Sequence, residues 1–163
     1  MLENTQKLPI YKKAMHIYKM VSQIVELIPE EKEFSKQTAE YMLADASLIP
    51  AKIAGAEAGE LYDLKMENAA IIRKSAREIY VQCNTFRAEG FKETEYLEVL
   101  REEIEEFRIL FAKWVKTFDQ WNYVIDRWGL FNPPGVNYDD KDPDDDLPFD
   151  NPFDGFDEDD EDD

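Results

Sequence analysis

Along residues 97–128 the apolar positions are Leu97, Leu100, Ile104, Phe107, Phe111, Trp114, Phe118, Trp121, Ile125 and Trp128, spaced alternately by three and four residues. That alternation is a heptad seam and predicts one long helix lying at a shallow angle to its neighbours, as in a four-helix bundle. A helix over residues 94–130 would span about 55 Å at ~1.5 Å per residue. The earlier helical stretches are shorter, so its last turns should overhang. The overhang carries Phe118, Trp121, Tyr123, Val124, Ile125, Trp128, Leu130 and Phe131, and all three tryptophans lie on the helix as a whole. These aromatics either fold back onto their own bundle or meet a subunit or partner. Exposed aromatic surface of this extent favours the second reading.

Three further helices precede it. Ile10, Ala14, Ile17, Val21, Ile24 and Ile28 recur at helical spacing between Pro9 and Pro29. Proline suits a first helical turn, and the residue before one disfavours helix. A second helix starts near Phe34 or Ser35, with Pro50 inside it, where a kink is expected. Its end is rich in alanine and in Gly55 and Gly59, which permit close approach and loosen the helix. A third begins near Glu60 on a stripe of Leu61, Leu64, Asn68, Ile71, Ile72, Ser75, Ile79, Cys83 and Phe86, and stops at Gly90. Thr94 is a plausible N-cap for the fourth. Residues 132–135, Asn-Pro-Pro-Gly, end the helical pattern.

Composition sharpens the division. The net charge is −18. Residues 1–126 hold 22 acids and 17 bases, whereas residues 127–163 hold 15 acids and two bases. The tail carries the acidity, and Leu147, Phe149, Phe153 and Phe156 interrupt it. Such a segment buries too little surface to fold alone. The expected fold is therefore all-α: an antiparallel up-down four-helix bundle over residues 1–131, with a long fourth helix, followed by an acidic Pro/Phe-containing tail over residues 132–163, disordered unless bound. No apolar run is long enough to span a membrane. The first residues lack the signature of a signal peptide. The single Cys83 allows no internal disulfide, which fits a reducing cytoplasm.

Catalytic chemistry is poorly supplied. The one histidine, His16, has no carboxylate at the Glu-x-x-His spacing of metal-binding bundles. There is no Gly-rich phosphate loop, no Cys/His zinc set and no ordered calcium loop. The expectation is a non-enzyme without metal or cofactor. The third helix is the most basic element, through Arg73, Lys74, Arg77 and Arg87. With Lys52 these are candidate nucleic-acid contacts; the alternative is a solvated face paired with nearby glutamates.

Several segments carry a resemblance: 8–14 (Leu-Pro-Ile-Tyr-Lys-Lys-Ala), 28–31 (Ile-Pro-Glu-Glu) and 46–54 (Ala-Ser-Leu-Ile-Pro-Ala-Lys-Ile-Ala). The last resembles the Ser-Ile-Pro-x-Asn-Ile-Ala-Glu-Gly signature of the four-helix bundle family of proteins encoded in 23S rRNA intervening sequences. Lys52 replaces the usual Asn, and Gly55 and Ala56 stand where Glu-Gly is usual. The resemblance covers roughly residues 8–117. It implies antiparallel bundles assembling into pentameric rings. A related branch, the accessory proteins of diversity-generating retroelements, binds a reverse transcriptase and template RNA through a basic ring. The body of this chain is mildly acidic where that branch is strongly basic. Residues 144–149 are also similar to the acidic tip of bacterial single-stranded DNA-binding proteins, but the chain-terminal carboxylate on the last Phe is missing.

Two functional expectations follow. One is an oligomeric helical adaptor in a nucleic-acid-handling complex, such as a reverse transcriptase with its RNA. The interface candidates are Phe118, Trp121, Tyr123, Ile125, Trp128 and Phe131. The other is a protein-interaction or nucleic-acid-mimic module. In it the tail carboxylates compete for a basic groove, on a partner or on the chain itself, and Phe149, Phe153 and Phe156 act as hooks.

Overall fold

The computed structural model describes residues 2–143, so the hooks Phe149, Phe153 and Phe156 lie outside the described residues. The chain is all-helical. A short α1 (Leu2–Thr5) leads into α2 (Pro9–Glu26), α3 (Glu33–Glu57), α4 (Tyr62–Ala88) and α5 (Thr94–Val115). No strand occurs among the described residues. The four long helices touch in a closed cycle, α2 with α3, α3 with α4, α4 with α5 and α5 with α2, while α1 rests on α3.

The core is the inner stripe of each helix. Ile10, Ala14, Ile17, Val21 and Ile24 of α2 meet Met42, Ala46, Ile49 and Ile53 of α3, Ile72, Ile79, Cys83 and Phe86 of α4, and Leu97, Leu100, Ile104 and Phe107 of α5. Fully burying one such aliphatic or aromatic side chain is worth about 1.5–3 kcal/mol. Contact between α3 and α4 is the most extensive. A Cβ added at Gly55 would meet Asn68 Oδ1 at 3.4 Å, an ordinary contact that an alanine could make. Pro50 is buried within α3, which continues through it to Glu57. Gly90, at φ 84°, ends the α4 turn with Phe91 N–H donating to the Phe86 carbonyl, a left-handed stop.

Polar contacts fix which ends meet. Ser35 and Thr38, early in α3, donate to the Glu89 carboxylate just after α4, at 2.6 and 3.1 Å. Gln82 of α4 donates to Asp45 of α3. Arg87 near the end of α4 pairs with Glu98 early in α5. Lys13 early in α2 binds Glu103 and Glu106 of α5 at 2.7 and 2.5 Å. The two carboxylates raise the Lys13 pKa against the opposing effect of burial.

Two expectations are corrected. The fourth long helix does not run to residue 130 but ends at Val115. Thr117 and Phe118 donate their N–H groups to Trp114 and Val115, and the Thr117 hydroxyl also donates to the Trp114 carbonyl, at 2.6 Å. The Asp119 carboxylate takes the Trp121 N–H. Thr117 and Asp119 thus offer the backbone partners other than the next helical turn. The heptad spacing continues after the helix has stopped: Phe118 and Ile125 are buried by the chain folding back, not by extending the seam. The α4 stripe is also rotated by one residue in its first half. Tyr62, Lys65, Ala69 and Ile72 face inward, while Leu64 is half exposed. Past the end of α5, Arg127 donates to the carbonyls of Tyr138 and Asp140 at 3.0 and 2.7 Å.

Candidate functional site

The segment after α5 closes one end of the bundle. The Asn122 carbonyl accepts the Tyr62 N–H at 2.8 Å, serving as a cap for α4, which has no side-chain cap of its own. Lys65, buried, donates to the Ala56 carbonyl at 2.9 Å in the last turn of α3. A cation there satisfies an orphan carbonyl and opposes the negative helix end. Its ammonium also lies 4.0 Å from Glu57 and 5.2 Å above the Phe118 ring. Trp114 Nε1 donates to Glu57 at 2.8 Å and stacks edge-on against Phe118, centroids 4.8 Å apart. This cluster is a structural plug in which Trp114 and Phe118 carry the apolar signal and the buried Lys65 carries none.

Beyond it the chain builds a loop around Asp126. Its carboxylate accepts the N–H groups of Trp128, Leu130 and Phe131 at 3.0, 2.9 and 2.8 Å. Asn132 binds the Asp126 backbone twice, accepting its N–H and donating to its carbonyl. The Phe131 N–H, then those of Leu130 and Trp128, hold the Asp126 carboxyl below the usual aspartate range. Gly129 adopts φ 75° and packs against Tyr138. This rigid loop presents Trp128, 96% exposed, and Leu130, 72% exposed. With Leu64, Phe131, Asp63 and Glu67 they line a concavity of about 490 Å³.

The six interface candidates therefore separate. Phe118 and Ile125 are interior, Tyr123 and Phe131 are half buried, and Trp121 and Trp128 face solvent. Asp126 and Asn132, which fix the loop, have no apolar signal and were not singled out by the pattern. An Asp with backbone amides two to five residues ahead is the local sign that marks them.

The five basic candidates separate too. Arg87 is engaged by Glu98. Burial raises the Asp45 pKa, and the Gln82 hydrogen bond and the nearby Lys74 charge oppose it. Lys52 is half buried on α3. Only Arg73 and Arg77 come together. They border a groove of about 690 Å³ between α4 and α5, with Arg108 and Lys116 on the opposite bank. Phe111, Ala112 and Val81 supply its apolar floor. Arg108 binds Glu105 at 3.0 Å; Arg73, Arg77 and Lys116 form no ion pair among the described residues. Pattern reading missed Arg108 and Lys116 because they sit on a different helix.

Among the described residues no group of three His, Cys, Asp or Glu side chains is placed to hold a metal, and no helix is long and apolar enough to cross a membrane. Compared with known families and curated proteins, the chain matches no family model and no curated protein.

Proposed function

We propose that this chain is a non-enzymatic adaptor: an antiparallel up-down four-helix bundle that assembles with copies of itself and joins a nucleic-acid-handling complex in the cytoplasm. The end-to-end contacts Ser35 and Thr38 with Glu89, and Arg87 with Glu98, support the alternating helix directions. The resemblance to the intervening-sequence proteins and to the retroelement accessory proteins supports ring assembly and a reverse transcriptase with its RNA as the setting. The basic bank of Arg73 and Arg77, joined by Arg108 and Lys116, is the surface that would meet a phosphate backbone.

One observation carries the adaptor reading: Trp128 stands almost wholly in water on a loop held by hydrogen bonds to Asp126 and Asn132. A large indole is an expensive group to leave exposed, and a preorganised one loses little entropy on binding. Tryptophans of this kind dominate interface energies.

The test is the assembly state of the full chain and of a Trp128→Ala/Leu130→Ala variant, by light scattering and native mass measurement. The wild-type chain is expected to form a closed oligomer and the variant to fall to smaller species with unchanged helicity. A wild-type monomer at high concentration overturns self-assembly. RNA retention that falls with added salt, and falls again in Arg73→Glu/Arg77→Glu, is expected for the nucleic-acid reading; no retention at low salt overturns it.

A further inference from the structure

We infer that residues 144–163 occupy the α4/α5 groove of their own chain, laying acidic side chains on its basic banks and phenylalanines on its floor. This goes beyond the adaptor reading and does not need RNA to bind.

The groove offers a charge pattern that the body of the chain leaves largely unanswered. Arg73 and Arg77 stand on one bank and Arg108 and Lys116 on the other, with Glu105 the one acid among the lining residues. Between them Phe111 and Val81 expose apolar surface, Val81 at 55%. Segment 144–163 is its chemical complement: twelve acids, no bases, and Leu147, Phe149, Phe153 and Phe156 set among them. A neutral apolar peptide would leave Arg73, Arg77 and Lys116 unanswered, and a plain polyanion would leave the floor wet.

The spans agree. From Arg73 to Val81 the helix rises about 12 Å at ~1.5 Å per residue. Phe149 and Phe153, four residues apart, reach about 13 Å in an extended chain. Pro148 and Pro152 are poor residues for a helix interior. The connection is short as well. Arg127 ties residues 138 and 140 beside the Asp126 loop, which with Asp63 and Glu67 lines the concavity on the first turns of α4. Arg73 lies six residues beyond Glu67, about 9 Å along the same helix. Residues 144–149 extended cover about 20 Å, enough to reach it.

Seated, the segment covers the same cations that a nucleic acid would use. The tail then sets a threshold: an anionic ligand must displace an intramolecular competitor whose effective concentration is in the millimolar range.

The experiment uses the full chain with a spin label at Asn151→Cys, the native Cys83 being buried and slow to react. Methyl signals of Val81, Ala112 and Val115 are expected to lose intensity while those of Leu64 and Leu130 keep theirs. The loss should fade as salt shortens the screening length from about 10 Å at 0.1 M to about 3 Å at 1 M. It should vanish in Phe149→Ala/Phe153→Ala/Phe156→Ala and in Arg73→Glu/Arg77→Glu, the two arginines being exposed. Undiminished groove signals, or a loss that persists in both variants, overturn the proposal. So does a loss transmitted from labelled chains to unlabelled, isotope-enriched copies, which would place the tail on a neighbour.

Discussion

At the scale of single residues, Lys65 and Asp126 do work that their types conceal. Lys65 lies inside because its ammonium reaches the Ala56 carbonyl and sits over the face of the Phe118 ring. Lys65→Met keeps most of the stem but leaves that carbonyl and Glu57 without their cation. Urea denaturation should show a loss of about 1–3 kcal/mol, the cost of stranding buried polar groups; an unchanged midpoint would make the contact incidental. Hydropathy scores a residue type, not its atoms, so the inward turn of Lys65 was not legible and the stripe was placed through Leu61 and Leu64 instead. Asp126 gives a pH signature. Its folded carboxyl titrates below its ordinary value of 3.8, so the loop's stability from this group is fully present above that value and is lost as pH falls through the lowered one. The anisotropy of the exposed tryptophans should drop on acidification below about pH 4, and Asp126→Ala should show the low value already at neutral pH. An acid-insensitive signal in the wild type would remove the carboxylate from the role.

At the scale of elements, the starts and stops written in proline and glycine were legible. Pro9 opens α2 and Gly90 follows α4, and the seam from Leu97 to Trp114 is real. The end of α5 was not, because period alone does not distinguish a helix from a chain that returns to the same surface. Phe118 keeps the heptad distance and reaches the core from a turn. Phe118→Ala should therefore destabilise the bundle by about 3–5 kcal/mol, as for other buried aromatics. With the chain kept dissociated by dilution, Trp128→Ala should leave stability within about 0.5 kcal/mol, as surface changes do. Thermal unfolding of the two variants decides it: equal costs would mean that Trp128 is packed after all. The groove was legible only in part, since Arg73 and Arg77 were named from α4 while the bank that completes them comes from α5.

At the scale of the whole molecule, the uneven charge is the organising fact: a nearly balanced body and a strongly acidic tail, joined by a stretch that folds back on the bundle's end. The all-helical class was legible because four amphipathic periods must share one core. How the helices' polar faces combine was not, because it depends on which helix stands beside which. The same closure has a practical side. Cys83 sits at 0% exposure in that core, and burial pushes its thiol up to about 11. An alkylating reagent at neutral pH meets neither a thiolate nor an opening, so modification must wait for the bundle to come apart. The chain thus carries its own clock: the rate of thiol capture should track the unfolded fraction across a urea series, and a label that enters without unfolding would reveal a breathing motion around the last turns of α4.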